Sequence, residues 1–96
     1  MNEGMLQELG VVREQIDAID AQMLALLNQR AKCAQHVGEI KAKYGDAGYI
    51  YRPEREAQVL RRIQSLNQGP LPNESVTFFF REVMSEIGRA SCRERV

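Results

Sequence analysis

The sequence predicts an all-α fold of three helices, one long and two shorter, and three observations carry that expectation. Between Leu9 and Tyr44 there is no proline, and apolar residues recur in steps of three and four. Two shorter stretches with helical spacing follow, set apart by Gly45-Asp46-Ala47-Gly48 and by Gly69-Pro70. The first stretch is also too long to be covered by what remains of a 96-residue chain, which points to a second copy as its cover.

The long helix is written in Leu9, Val12, Ile16, Ile19, Met23, Leu26, Cys33, Val37, Ile40 and Tyr44. This is the heptad seam of a helix packed lengthwise on other helices. Leu24 and Leu27 widen it, while Glu14, Gln15, Gln22, Gln29 and Lys32 fill much of the remaining surface. Residues 6–44 as a helix would span roughly 58 Å. A compact domain of this size has a radius of gyration of about 13 Å. The other half of the chain cannot cover both ends of such a rod, and a two-fold homodimer is the commonest remedy. Cys33, lying on the seam, is expected to be a buried thiol acting as a small hydrophobe.

After the glycine-bearing turn, Tyr49-Ile50-Tyr51 is expected to be extended, because a residue before proline, here Arg52, avoids the α region. Pro53, Glu54 and Glu56 suit the first turn of a second helix, which carries Val59, Leu60, Ile63 and Leu66 inward. Asn73 is the expected N-cap of the third, with Val76, Phe79, Phe80, Val83, Met84 and Ile87 as its apolar set. Phe78-Phe79-Phe80 taken alone has strand character, but its flanks favour helix. At Gly88 the apolar spacing lapses and Arg89, Arg93 and Arg95 crowd in. Residues 1–87 are therefore expected to form the domain. Residues 88–96 read as an atypical tail, disordered or of non-native origin, rather than as a basic binding arm.

Composition excludes several classes of function. Lys plus Arg and Asp plus Glu number 13 each, so overall charge offers nothing to nucleic acid or to an anionic membrane. Cys33 and Cys92 make neither a disulfide framework nor a metal motif. With no long apolar run and no leader-like N-terminus, a reducing cytoplasm is the expected setting.

The informative residues are cations out of place. Arg30 falls where the seam asks for an apolar side chain, four after Leu26 and three before Cys33. Such a charge either sets register, snorkels to water, or meets a ligand. Lys41 is eleven residues on and returns to within about 20° of Arg30 on the helical wheel, about 16 Å along the axis. Two long side chains can lean together across that gap onto a small anion. Arg13 stands roughly 25 Å before Arg30 and about 100° round, so any site it serves belongs to a partner chain. Arg52, Arg55 and Glu56 cluster at the start of the second helix, where Arg55 and Glu56 can close one end of a pocket. His36, the only histidine, reads as a surface or packing residue. No nucleophile–base set, phosphate loop or metal-ligand cluster is present. The pattern suits a small dicarboxylate, with chemistry resting on positioning and electrostatics.

These residues, in order, resemble the all-helical class of chorismate mutases. The likeness is carried by Val12-Arg13-Glu14-Gln15-Ile16-Asp17-Ala18-Ile19-Asp20, Leu26-Leu27-Asn28-Gln29-Arg30, Val37-Gly38-Glu39-Ile40-Lys41, Tyr51-Arg52-Pro53-Glu54-Arg55-Glu56 and Phe80-Arg81-Glu82-Val83-Met84-Ser85. It is similar above all to the mutase domain that opens bifunctional chorismate mutase–prephenate dehydratase proteins. The resemblance implies an intertwined homodimer with two equivalent sites and no cofactor or metal. It implies that Arg13 of the partner chain and Arg30 hold the carboxylates of chorismate. Lys41 would touch a carboxylate and the ether oxygen, Glu56 the ring hydroxyl, and Arg55 would sit beside it. Two departures stand out. Arg52 replaces an aspartate common in the family, and the third-helix Gln or Glu aligns with Ser91, with Ile87 one turn earlier at another pocket position. A prephenate dehydratase domain is the expected C-terminal neighbour. Two other readings are an isochorismate–pyruvate lyase on the same scaffold and a non-catalytic helical dimerisation or regulatory module.

Overall fold

The first helix starts on a cap that the apolar pattern does not announce. In the computed structural model, which describes residues 2–45 and 53–94 (side chains for 2–45 and 54–87), α1 runs Glu3–Lys43. The Asn2 side-chain oxygen accepts the Met5 N–H at 2.6 Å, and its carbonyl accepts the Leu6 N–H at 3.2 Å. One donor that the first turn would otherwise leave without a partner is thereby satisfied, and the helix begins three residues before the expected start. At the other end the Tyr44 and Gly45 N–H groups donate to Ile40 and Ala42, each at 3.2 Å. Gly45 has φ of 81°, a left-handed conformation that costs glycine nothing and stops the helix. Lys41 and Lys43 occupy the last turn, where cations complement the negative end of the helix dipole.

The chain divides into two compact units, residues 1–30 and 31–96. The first unit is helix with no interior. Its seam residues Ile16 and Ile19 are 50% and 53% exposed, and no residue of α1 is buried. Among the described residues, the apolar seam of α1 is therefore left unburied. Cys33 corrects a related expectation: it is exposed, as are Val37 and Ile40 on the same stripe.

The second unit is built around an antiparallel hairpin of α2 (Pro53–Leu66) and α3 (Asn73–Glu94), which pack on one another. Leu60 and Val83 are its buried apolar residues, and Thr77 is buried beside them. The Gln64 Nε2 donates to the Thr77 Oγ1 at 2.9 Å. Val59, Ile63, Val76, Phe80, Met84 and Ile87 are half-buried around this centre. Phe78 to Phe80 are helical as expected, with the Phe79 and Phe80 rings edge to face, centroids 5.6 Å apart. Leu66 and Phe79, expected inward, are exposed; Leu66 is the last residue of α2, beyond the level at which Gln64 meets α3.

A polar knot closes the hairpin. The Asn67 Nδ2 donates to the Leu71 carbonyl at 2.8 Å and to the Asn73 Oδ1 at 2.7 Å, while its Oδ1 accepts the Gly69 N–H at 3.1 Å. The Gly69–Pro70 peptide is cis and Gly69 has φ of 78°. Asn73 is not the N-cap: the Val76 N–H donates to the Pro72 carbonyl at 3.1 Å, so Pro72 takes the cap position and Asn73 lies one residue inside. Its side-chain oxygen is engaged by Asn67 instead.

The helix does not end at Gly88. It continues to Glu94, since one interior glycine costs only about 1 kcal/mol and alanine and arginine are good helix formers. The extended segment expected at Tyr49–Tyr51 lies outside the described residues. Among the described residues no helix is long and apolar enough to cross a membrane.

Candidate active site

Arg13 and Arg30 belong to the same unit and the same uninterrupted helix. Seventeen residues of α-helix separate their Cα atoms by about 25 Å, too far for one small molecule to meet both. Arg13 is exposed and Arg30 half-buried. Within one chain, a single small molecule therefore cannot bridge these two guanidinium groups. Lys41, also half-buried, lies near the C-terminal end of α1 in the second unit.

The hairpin brings another pair of expected residues into line. Arg55, exposed, and Glu56, half-buried, occupy the first turn of α2. The Gln64–Thr77 hydrogen bond marks where α2 and α3 stand opposite one another. Because the helices are antiparallel, stepping back eight residues to Glu56 moves about 12 Å in the same direction as stepping forward ten residues to Ile87, about 15 Å. At 100° per residue both steps also turn through about 80° toward the same side of the hairpin. Glu56 and half-buried Ile87 therefore share a level and a side. Position 91 lies on the helical backbone one turn further; the Ser91 side chain and all of Arg52 fall outside the described residues.

His36 sits on the surface, its Nδ1 3.5 Å from a Glu39 carboxylate oxygen with both side chains largely exposed. The sequence reading passed over a polar groove between α2 and α3, lined by Gln64, Asn73, Glu74, Thr77 and Arg81. Its sign was present: Asn73, Thr77 and Arg81 repeat every four residues, one ridge of a helix. The phenylalanine run beside that ridge drew the apolar face one residue away. Among the described residues no group of three or more His, Cys, Asp or Glu side chains is placed to hold a metal ion.

A family model described as chorismate mutase type II matches residues 12–90. The chain belongs to the chorismate mutase type II family. Arg13, Arg30, Lys41, Arg55 and Glu56 all fall within the matched range. The chain is 61% identical over 74 residues to a bifunctional chorismate mutase/prephenate dehydratase from Neisseria gonorrhoeae, an alignment covering 77% of this chain and 19% of that protein. To the bifunctional protein of Pseudomonas aeruginosa it is 48% identical, over 81% of this chain and 22% of the other. It thus spans about a fifth of the length of these relatives. A chorismate mutase from Methanocaldococcus jannaschii is 31% identical over 90% of this chain and 85% of its own length. Among solved structures, a chorismate mutase from Thermus thermophilus superposes with a TM-score of 0.83 at 26% identity, covering 90% of this chain and 96% of that one. The three-helix architecture expected from the sequence is that of the family.

Proposed function

We propose that this chain is a mutase module that rearranges chorismate to prephenate in a pocket completed by a second copy of itself. The observation that carries the reading is the cation set Arg13, Arg30, Lys41 and Arg55, with one carboxylate from Glu56, standing in order within the family-matched residues 12–90. The reaction is unimolecular: an ether C–O bond breaks as a C–C bond forms, and no atom leaves. It needs no nucleophile, base or cofactor. The protein has two tasks, to hold the compact chair-like conformer and to favour the negative charge that grows on the ether oxygen.

The partner's share follows from length. Arg13 and Arg30 grip the two carboxylates only if Arg13 comes from the other protomer, and the exposed seam of α1 supplies the surface on which that protomer packs. Lys41, which helical periodicity returns to the Arg30 side, donates to a carboxylate and to the ether oxygen. Glu56 accepts a hydrogen bond from the ring hydroxyl, with Arg55 beside it, and Ile87 offers apolar contact at the same level. By the resemblance, Ser91 takes the position of a longer amide or carboxyl side chain, so a donor to the ether oxygen is weakened and turnover is expected to be slow. Arg52 stands where many members of the family carry an aspartate, so a side-chain role at that position is lost while a backbone contact would survive. In the whole protein, a prephenate dehydratase domain following this module would take its product, in the cytoplasm.

The test is an assay of chorismate and isochorismate loss, combined with chain mixing. The unaltered chain is expected to convert chorismate to prephenate and to leave isochorismate untouched. Arg13→Ala and Lys41→Ala chains are each expected to be inactive. Mixed in equal amounts and allowed to exchange, they should recover about a quarter of full activity, since half the dimers are mixed and each holds one intact site. No chorismate loss defeats the mutase reading; no recovery despite verified exchange defeats the shared site.

A further inference from the structure

A part-buried hydrogen bond between α2 and α3 lies away from every residue assigned above to substrate. Thr77 is 9% exposed, and its Oγ1 accepts from Gln64 Nε2 at 2.9 Å across the α2–α3 interface. The apolar residues around it do not by themselves choose a register. Val59, Leu60 and Ile63 on α2 and Val76, Phe80, Val83 and Ile87 on α3 recur at one-turn intervals. Sliding one helix past the other by a turn therefore re-pairs hydrophobic with hydrophobic. A slide toward the start of α2 sets the Thr77 hydroxyl against Leu60 and strips it of its partner in a buried place, and one the other way brings it level with Asn67, whose amide donors are engaged in the turn. One polar pair in an otherwise degenerate apolar seam is how helical interfaces select a single alignment.

We propose that Gln64 and Thr77 are positioning residues that lock the register of the hairpin and thereby hold Glu56 level with Ile87 at the ring end of the pocket. This rests on the mutase reading for its consequence in catalysis, but not for its consequence in geometry. The lever is direct. Glu56 and Gln64 are two turns apart on one rigid helix, and Thr77 and Ile87 are on another. A slip at the lock is therefore carried undiminished to the level of Glu56, whereas the carboxylate-gripping cations Arg30 and Lys41 ride on α1 and do not depend on it.

Thr77→Val keeps the side-chain shape and removes the acceptor; Thr77→Ser keeps the acceptor. Thr77→Val is expected to lower kcat for chorismate about tenfold, because displacements near 1 Å carry losses of that order or more, with KM held within about twofold. Thr77→Ser should restore kcat. In a Glu56→Ala background Thr77→Val should change kcat by less than about twofold, since the group it positions is gone. A general loss of packing would instead give the same factor in both backgrounds, and that result overturns the proposal.

A second readout needs no activity. In a chain carrying Cys33→Ser and Cys92→Ser, the pair Glu56→Cys and Ile87→Cys should be bridged within one chain by a short bifunctional maleimide. Adding Thr77→Val should cut the yield severalfold, and Thr77→Ser should not. Equal yields with Thr77→Val and with threonine overturn the register lock even if the enzyme is active. Absence of chorismate turnover in the unaltered chain defeats the mutase reading, while the bridging yields still decide the lock.

Discussion

The first thirty residues and the α2–α3 hairpin are both helical, yet only the hairpin has an inside. α2 and α3 bury Leu60, Val83 and Thr77 against one another and close their turn with the Asn67 knot. The opening stretch of α1 carries a seam at least as regular, and none of it is buried. The difference teaches that apolar periodicity announces a helix that wants a partner without saying whether the partner lies in the same chain. For the hairpin it does. For α1 the described residues leave the seam unburied, and the count of remaining residues points to a second copy.

The sharpest way to break this contrast is to put a charge on each region. Ile19→Asp touches nothing buried in the single chain, where a half-exposed site should change stability by no more than about 0.5 kcal/mol. If a second copy covers the seam, the aspartate is buried without a partner, and breaking of that kind costs about 3–5 kcal/mol. Analytical ultracentrifugation should then find monomer and circular dichroism diminished helix content, and an unchanged dimer population would contradict the assignment. A smaller effect is expected in the hairpin. Leu60→Ala removes a buried leucine and should cost about 2–4 kcal/mol in urea unfolding, while leaving the oligomeric state unchanged. The smallest belongs to the helix start: Asn2→Ala removes the acceptor for the Met5 N–H and should cost about 1 kcal/mol. Amide exchange should quicken over the first turn of α1 only, and a global loss of protection would show that the cap matters to more than its own helix.

Much of the fold is legible in the residues because each helix writes its own period. The end of α1 at Gly45, the start of α2 at Pro53 and the helical state of Phe78 to Phe80 all follow from local chemistry. What escapes is whatever depends on a neighbour. Asn2 precedes the apolar pattern, so nothing periodic draws attention to it, although Asn is a strong capping residue. Asn73 looks like a cap by type, but Asn67 engages its oxygen and Pro72 takes the place. Thr77 reads as surface on its own helix and is buried because α3 packs on α2, where Gln64 meets it. For the candidate site, the misplaced charge of Arg30 and the span from Arg13 are visible as arithmetic on one helix. The shared level of Glu56 and Ile87 is not, because it depends on where two helices lie against each other.

The bare seam of α1 has a consequence for how the molecule behaves on dilution. If a second copy supplies the interior of this helix, association becomes part of folding, and melting temperature would climb with protein concentration by mass action. Refolding would contain a bimolecular phase, and at low expression the supply of chains, rather than the chemistry of any one of them, would set how much of the long helix is ordered.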